Sequence, residues 1–160
     1  MAILLAVITV SLLLDYSMAS RVIKPQKRIA LVAHNKRKEE LVAWAEANRA
    51  FLIQHQLVAT GTTGDIIEKK LEAPVEKLLT GPLGGDQQLG AMIAEGRLDV
   101  ILFFWDPLEA QPHDSDVKAL IRLAVAWNII IACNKTTADF IVSSALMNED
   151  YTAPLPETDS

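Results

Sequence analysis

Strand-length segments recur at positions 29–33, 57–60, 75–79, 99–104 and 129–132, and the stretches between them carry apolar residues at helical spacing. The run at 99–104 is nearly all apolar with no polar alternation, which predicts a strand covered on both faces in a parallel sheet. The run at 29–33 reads the same way. Positions 36–52 place Leu41, Val42, Trp44, Ala45 and Phe51 on one side of a helix, with charges between them. Further helices are predicted over 65–70, 86–95 and 117–127, the last with Val117, Leu120, Ile121 and Ala124 inward, and a short one from 136. Strand and helix therefore alternate along the chain. That alternation predicts an α/β fold: a single domain, three layers αβα, with a mostly parallel five-stranded sheet and right-handed crossovers.

The ends break the pattern. Residues 1–14 are an uncharged apolar run, short for a membrane span and lacking the basic flank of a signal peptide. Met18 offers a second start, and the preferred reading sets the true start there; a signal or membrane anchor is the alternative. This divides the chain into an N-terminal extension over 1–24, a domain over 25–148 and a polar tail over 149–160, expected to be irregular. Composition narrows the class. The chain has 160 residues, 51% hydrophobic and 22% charged, which is enough to bury a core. A net charge of −5 is not that of a nucleic-acid binder. The single Cys133 excludes an internal disulfide framework and a multi-cysteine zinc site.

Candidate chemistry collects at the predicted strand ends. His34, Asn35 and Lys38 follow the first strand, and Thr60-Gly-Thr-Thr-Gly64 follows the second. Hydroxyls and free N–H groups at a helix start form an anion cradle, although neither a Walker loop nor a GxGxxG fingerprint is present. The third strand runs into Thr80-Gly-Pro-Leu-Gly-Gly-Asp-Gln-Gln88, where Asp86 reads either as a helix N-cap or as an acid/base beside an anion nest. Trp105-Asp106-Pro107 and Gln111-Pro-His-Asp-Ser-Asp116 follow the fourth strand, with Asp116 placed to cap a helix, and Asn134 ends the fifth. In a parallel sheet these positions share one edge, where open α/β sheets bind ligands. A metal site from His113 and its aspartates is set aside, because spacing alone supplies too few ligands.

In combination and order, Ala33-His34, Ala59-Thr-Gly-Thr-Thr-Gly64, Gly81-Pro-Leu-Gly-Gly-Asp-Gln-Gln88, Phe103-Phe-Trp-Asp-Pro-Leu108 and Gln111-Pro-His-Asp-Ser-Asp116 resemble the methylglyoxal synthase family, over about residues 27–143. The resemblance implies that family's fold and its reaction, a carbon–oxygen lyase step from dihydroxyacetone phosphate to methylglyoxal and inorganic phosphate with no metal or organic cofactor. It implies Asp86 as the acid/base, His113 as the group that polarises substrate oxygens, Asp116 as its orienting partner and Asp106 as a further active-site carboxylate. It implies His34, Lys38, Thr60, Gly61, Thr62, Thr63, Thr80, Gly81 and His113 as substrate-binding positions. It further implies a homohexamer, a cytoplasmic location, a small-molecule substrate, and neither nucleic acid nor membrane as partner. Two departures stand out. Asn35 replaces an Asp common in the family, so it is given no acid/base role, and the chain ends in an acidic tail where the family usually continues into a basic helix. The alternative function is a non-catalytic phosphate- or nucleotide-sensing regulatory domain of the same fold. Such a sensor needs the cradle but not Asp86, His113 and Asp116 together.

Overall fold

The structure is a computed structural model and describes residues 19–110 and 112–156. Its centre is a five-stranded sheet in the order β4-β3-β2-β5-β6. The strands are β2 (Arg28–Ala33), β3 (Gln56–Thr60), β4 (Val75–Leu78), β5 (Val100–Phe104) and β6 (Ile130–Ala132), and every neighbouring pair is parallel. The α/β reading is therefore borne out.

Side chains alternate across the sheet with the period of two that a strand imposes. Ile29 and Leu31 of β2, with Val100, Leu102 and Phe104 of β5, face one core; Ala30, Val32, Ile101 and Phe103 face the other. The first core is closed by helices α1 (Lys38–Ala47), α3 (Gly61–Leu71) and α6 (Lys135–Ser143), through Leu41, Trp44, Ile67, Leu71 and Ala138. The second is closed by α4 (Gly85–Ala94) and α5 (Asp114–Ala126), through Leu89, Ile93, Val117 and Leu120. Each fully buried Leu, Ile or Phe contributes about 1.5–3 kcal/mol relative to exposure.

Several boundaries differ from the sequence reading. The helix expected over 36–52 begins as a 3-10 turn, Asn35–Arg37, and breaks at Asn48 before a short α2 (Arg49–Leu52). The Asn48 side chain donates back to the Trp44 carbonyl at 2.8 Å, and such local side-chain bonds compete with helix continuation. Helix α3 starts four residues before the predicted 65, at Gly61 with Thr60 as N-cap, so the Gly-Thr-Thr-Gly segment is the first helical turn itself. Neither Asp86 nor Asp116 is a cap: Gly84 holds the N-cap position of α4 and His113 that of α5, each ahead of an aspartate in the first turn. Asn134 does cap α6, its side chain accepting from the Thr137 N–H at 2.9 Å.

The tail is the main correction. Residues Tyr151–Pro154 form β7, which pairs antiparallel with β1 (Ser20–Ile23) in a separate two-stranded ribbon. The ribbon docks on the N-terminal edge of the main sheet. There Arg21 donates to the Leu98 carbonyl at 2.9 Å and pairs with Asp99 at 3.1 Å, while Ile23 and Ala153 are buried. The apolar run at 1–14 lies outside the described residues.

Candidate active site

The strand order sets the location of the site. From β2 the chain moves outward through β3 and β4, then crosses back so that β5 lies on the other side of β2. The crevice at the C-terminal ends of β2 and β5 is thus the topological switch point, where open α/β sheets bind ligands. A cleft of about 210 Å³ opens there. That is below the usual range for drug-sized ligands and suits a small polar molecule.

Of the residues singled out in the sequence, His34, Lys38, Thr60, Gly61, Thr63, Thr80, Gly81, Asp86 and His113 line this cleft. The loops that carry them are tied together. The Gly61 N–H donates to the Leu79 carbonyl at 3.2 Å, and the Thr80 carbonyl accepts from Leu83 and Gly85 at 3.0 and 2.9 Å. Thr60 ends β3 and starts α3, whose first N–H groups have no partner within the helix. The Thr63 hydroxyl is buried without a hydrogen-bond partner among the described residues. Thr62 does not line the cleft, but its hydroxyl accepts from Lys38 Nζ at 3.3 Å, linking the cation to the threonine turn.

On the other wall Asp86 and His113 approach each other. Asp86 is 5% exposed, and its Oδ2 lies 3.6 Å from His113 Nε2. That is ion-pair range but too long for a hydrogen bond. Burial raises the Asp86 pKa; the nearby Asp116 charge adds to this, and His113 and His34 act against it. Gly81 sits against both groups: a Cβ there would lie 2.8 Å from His113 Nε2 and 3.2 Å from Asp86 Oδ2. Only a residue without a side chain lets this backbone pass so close to the pair.

Two predicted residues stand behind the cleft. Asp106 is buried; its carboxylate accepts from the Leu108 N–H at 3.1 Å, and its own N–H donates to His34 Nδ1 at 3.3 Å. Asp116 is half-buried in the first turn of α5, and no hydrogen bond joins its carboxylate to His113, whose Nδ1 is buried without a partner among the described residues. Asn35, Pro82 and the apolar Val32, Ala33 and Phe103 complete the lining. The last three carry no chemical signal in the sequence, because a cleft wall residue and a core residue there look alike. No group of three or more His, Cys, Asp or Glu arranged to hold a metal occurs among the described residues.

The class to which this fold and site belong is the MGS-like domain, whose family model matches residues 40–133. The chain is 58% identical over 125 residues to methylglyoxal synthase of Leptospira interrogans, covering 78% of this chain and 84% of that one. It is 52% identical over 138 residues to methylglyoxal synthase of Pectobacterium atrosepticum, covering 86% and 91%. The crystal structure of methylglyoxal synthase from Elizabethkingia anophelis superimposes with a TM-score of 0.82 at 53% identity, covering 88% of this chain and 93% of that chain. The chain belongs to the methylglyoxal synthase family, whose members are lyases.

Proposed function

We propose that this protein converts dihydroxyacetone phosphate to methylglyoxal and inorganic phosphate. The observation that carries the reading is the meeting of Asp86 and His113, 3.6 Å apart, in one cleft with the Thr60–Thr63 turn, Thr80 and Lys38. The Asp86 carboxylate takes a proton from the hydroxymethyl carbon, and the C–H electrons form an enediolate. Burial suits it to this task, because a raised pKa makes a carboxylate a stronger base. His113 donates to the substrate oxygens and stabilises the charge that develops there. The enediolate electrons then expel phosphate by breaking the bridging C–O bond, and the enol left behind tautomerises to methylglyoxal.

A base alone does not select this outcome, since reprotonation of the same enediolate gives isomerisation. Elimination is favoured when the bridging C–O bond stands perpendicular to the enediolate plane, where the breaking bond overlaps the π system. Product choice is therefore a matter of holding the phosphate, which is the work of Lys38, Thr60, Gly61, Thr63, Thr80 and Gly81, with the Thr62 hydroxyl holding Lys38. Behind the cleft, the Asp106 N–H holds His34, and the Asp116 charge helps keep the Asp86 pKa raised.

The test is an assay of phosphate and methylglyoxal release from dihydroxyacetone phosphate. Wild type is expected to turn over, and Asp86→Asn to lose on the order of 10²- to 10⁴-fold in kcat, the usual contribution of an acid/base group. A wild type that binds phosphate without turnover would replace this reading with the regulatory sensor. A homohexameric assembly and a cytoplasmic location belong to the same proposal; light scattering of the purified chain checks the first.

A further inference from the structure

We propose that the backbone N–H of Asp106 fixes His34 as its neutral Nε2–H tautomer, so that His34 is a permanent hydrogen-bond donor into the cleft and neither a cation nor an acid. A backbone N–H can only donate. The ring nitrogen facing it, Nδ1 at 3.3 Å, must therefore present its lone pair, and a neutral imidazole then carries its proton on Nε2.

The arrangement is rigid at both ends. The His34 N–H donates to the Phe104 carbonyl at 3.2 Å, which fixes the end of β2 against the end of β5. The Asp106 backbone is held by its own side chain, which accepts from the Leu108 N–H. A flipped ring would put a carbon against the buried Asp106 N–H and leave it unpaired, which costs about as much as a lost hydrogen bond. Phe103 packs edge-on against the imidazole at 5.2 Å between centroids. Nε2, in contrast, is buried with no partner among the described residues, on a residue that lines the cleft.

The titratable groups facing His34 are His113, Asp86 and Asp106. Burial depresses the His34 pKa; His113 pushes the same way, and the two carboxylates oppose. Protonation would also set an Nδ1–H against the Asp106 N–H. The cleft thus offers a neutral donor, which stabilises an oxyanion or phosphate oxygen without surrendering its proton. Such a donor does not feed the reprotonation that competes with elimination. This chemical consequence rests on the proposed reaction; the tautomer itself does not.

The test uses the full chain labelled with ¹⁵N-histidine, with His34 assigned by comparison with His34→Gln. Long-range ¹H–¹⁵N correlations are expected to show His34 protonated on Nε2 alone, unchanged between about pH 8 and pH 6. An Nδ1–H or imidazolium pattern at pH 7 would overturn the proposal. In the activity arm, His34→Gln places a non-titrating amide N–H near the Nε2 position. It is expected to recover about tenfold in kcat/KM over His34→Ala, roughly the worth of one hydrogen bond, with the wild-type pH profile. Equal losses in both variants, or a missing limb in the His34→Gln profile, would count against it. An inactive wild type would sink the proposed reaction while leaving the spectrum to decide the tautomer.

Discussion

Asp86, the proposed base, sets a cost in stability against the chemistry proposed for it. Its carboxylate is buried, one oxygen has no hydrogen-bond partner among the described residues, and its folded pKa lies above the unfolded value of about 3.8. Between those two pKa values the native state holds the proton more tightly, so stability falls as pH rises through the window. Above the folded pKa the whole penalty is present. Asp86→Asn is therefore expected to raise the melting temperature at pH 7 while removing turnover, and the gain should shrink as pH falls from 7 toward about 4 and the wild-type carboxyl takes up its proton. Thermal melts of both proteins across that range check it; a variant less stable at pH 7 would contradict the desolvation argument. On residue type alone Asp86 reads first as a cap, because residue type cannot distinguish the N-cap from a position two residues further into the helix. Gly84, whose φ is +113°, takes the cap and leaves Asp86 free for the cleft.

Among the elements, the turn between β4 and α4 depends most on one contact. A Cβ at Gly85 would lie 2.2 Å from the Leu79 carbonyl oxygen, a backbone atom with no freedom to retreat. Gly85→Ala must push α4 away from β4, and the loss is expected to be several degrees in melting temperature, since overpacking costs about 1–3 kcal/mol and each kcal/mol shifts a domain of this size by roughly 2–4 °C. Calorimetry on the variant checks this; an unchanged transition would mean that the turn is less tightly held. The central strands were legible because burial on both faces leaves apolar runs such as Val100–Phe104, whereas the edge strand β4, Val-Glu-Lys-Leu, was placed by its position in the alternation. The start of α3 was not legible, because β-branched Thr62 and Thr63 have low helix propensity and the flanking glycines read as a turn, whereas in the fold Gly61 lies close against Thr80 and opens the helix. The ribbon was illegible for a different reason. Tyr151–Pro154 has no hydrophobic run of its own and becomes a strand by pairing with Ser20–Ile23, some 130 residues earlier. The convergence of strand-end residues on one cleft was legible from topology, whereas the backbone bond from Asp106 to His34 was invisible, since no side-chain pattern encodes it.

For the molecule as a whole, the two imidazoles whose pKa burial lowers, His55 and His34, give stability a pH dependence. His55, at the N-terminal edge of the sheet, accepts from the Lys27 N–H at 3.2 Å, and its pKa is lowered by burial and then by the Lys27 charge, with Asp99 opposing. The His34 pKa is also lowered by burial. Both return to about 6.5 on unfolding, so below neutrality the unfolded chain binds more protons than the native one. Stability should be greatest above pH 7, decline as pH falls through about 6.5, and level off once it passes the lowered folded values. Urea titrations between pH 8 and pH 5 check the slope, and His55→Gln should flatten it; a pH-independent midpoint would show that neither ring is disfavoured as a cation. The β1–β7 ribbon has a separate practical outcome. The Ala19 carbonyl accepts from the Leu155 N–H at 2.7 Å, so the two described termini leave side by side from the edge of the sheet opposite the cleft. A domain fused directly at Ala19 or Pro156 would start on the side away from the cleft, and a short linker joining those two residues would permit circular permutation.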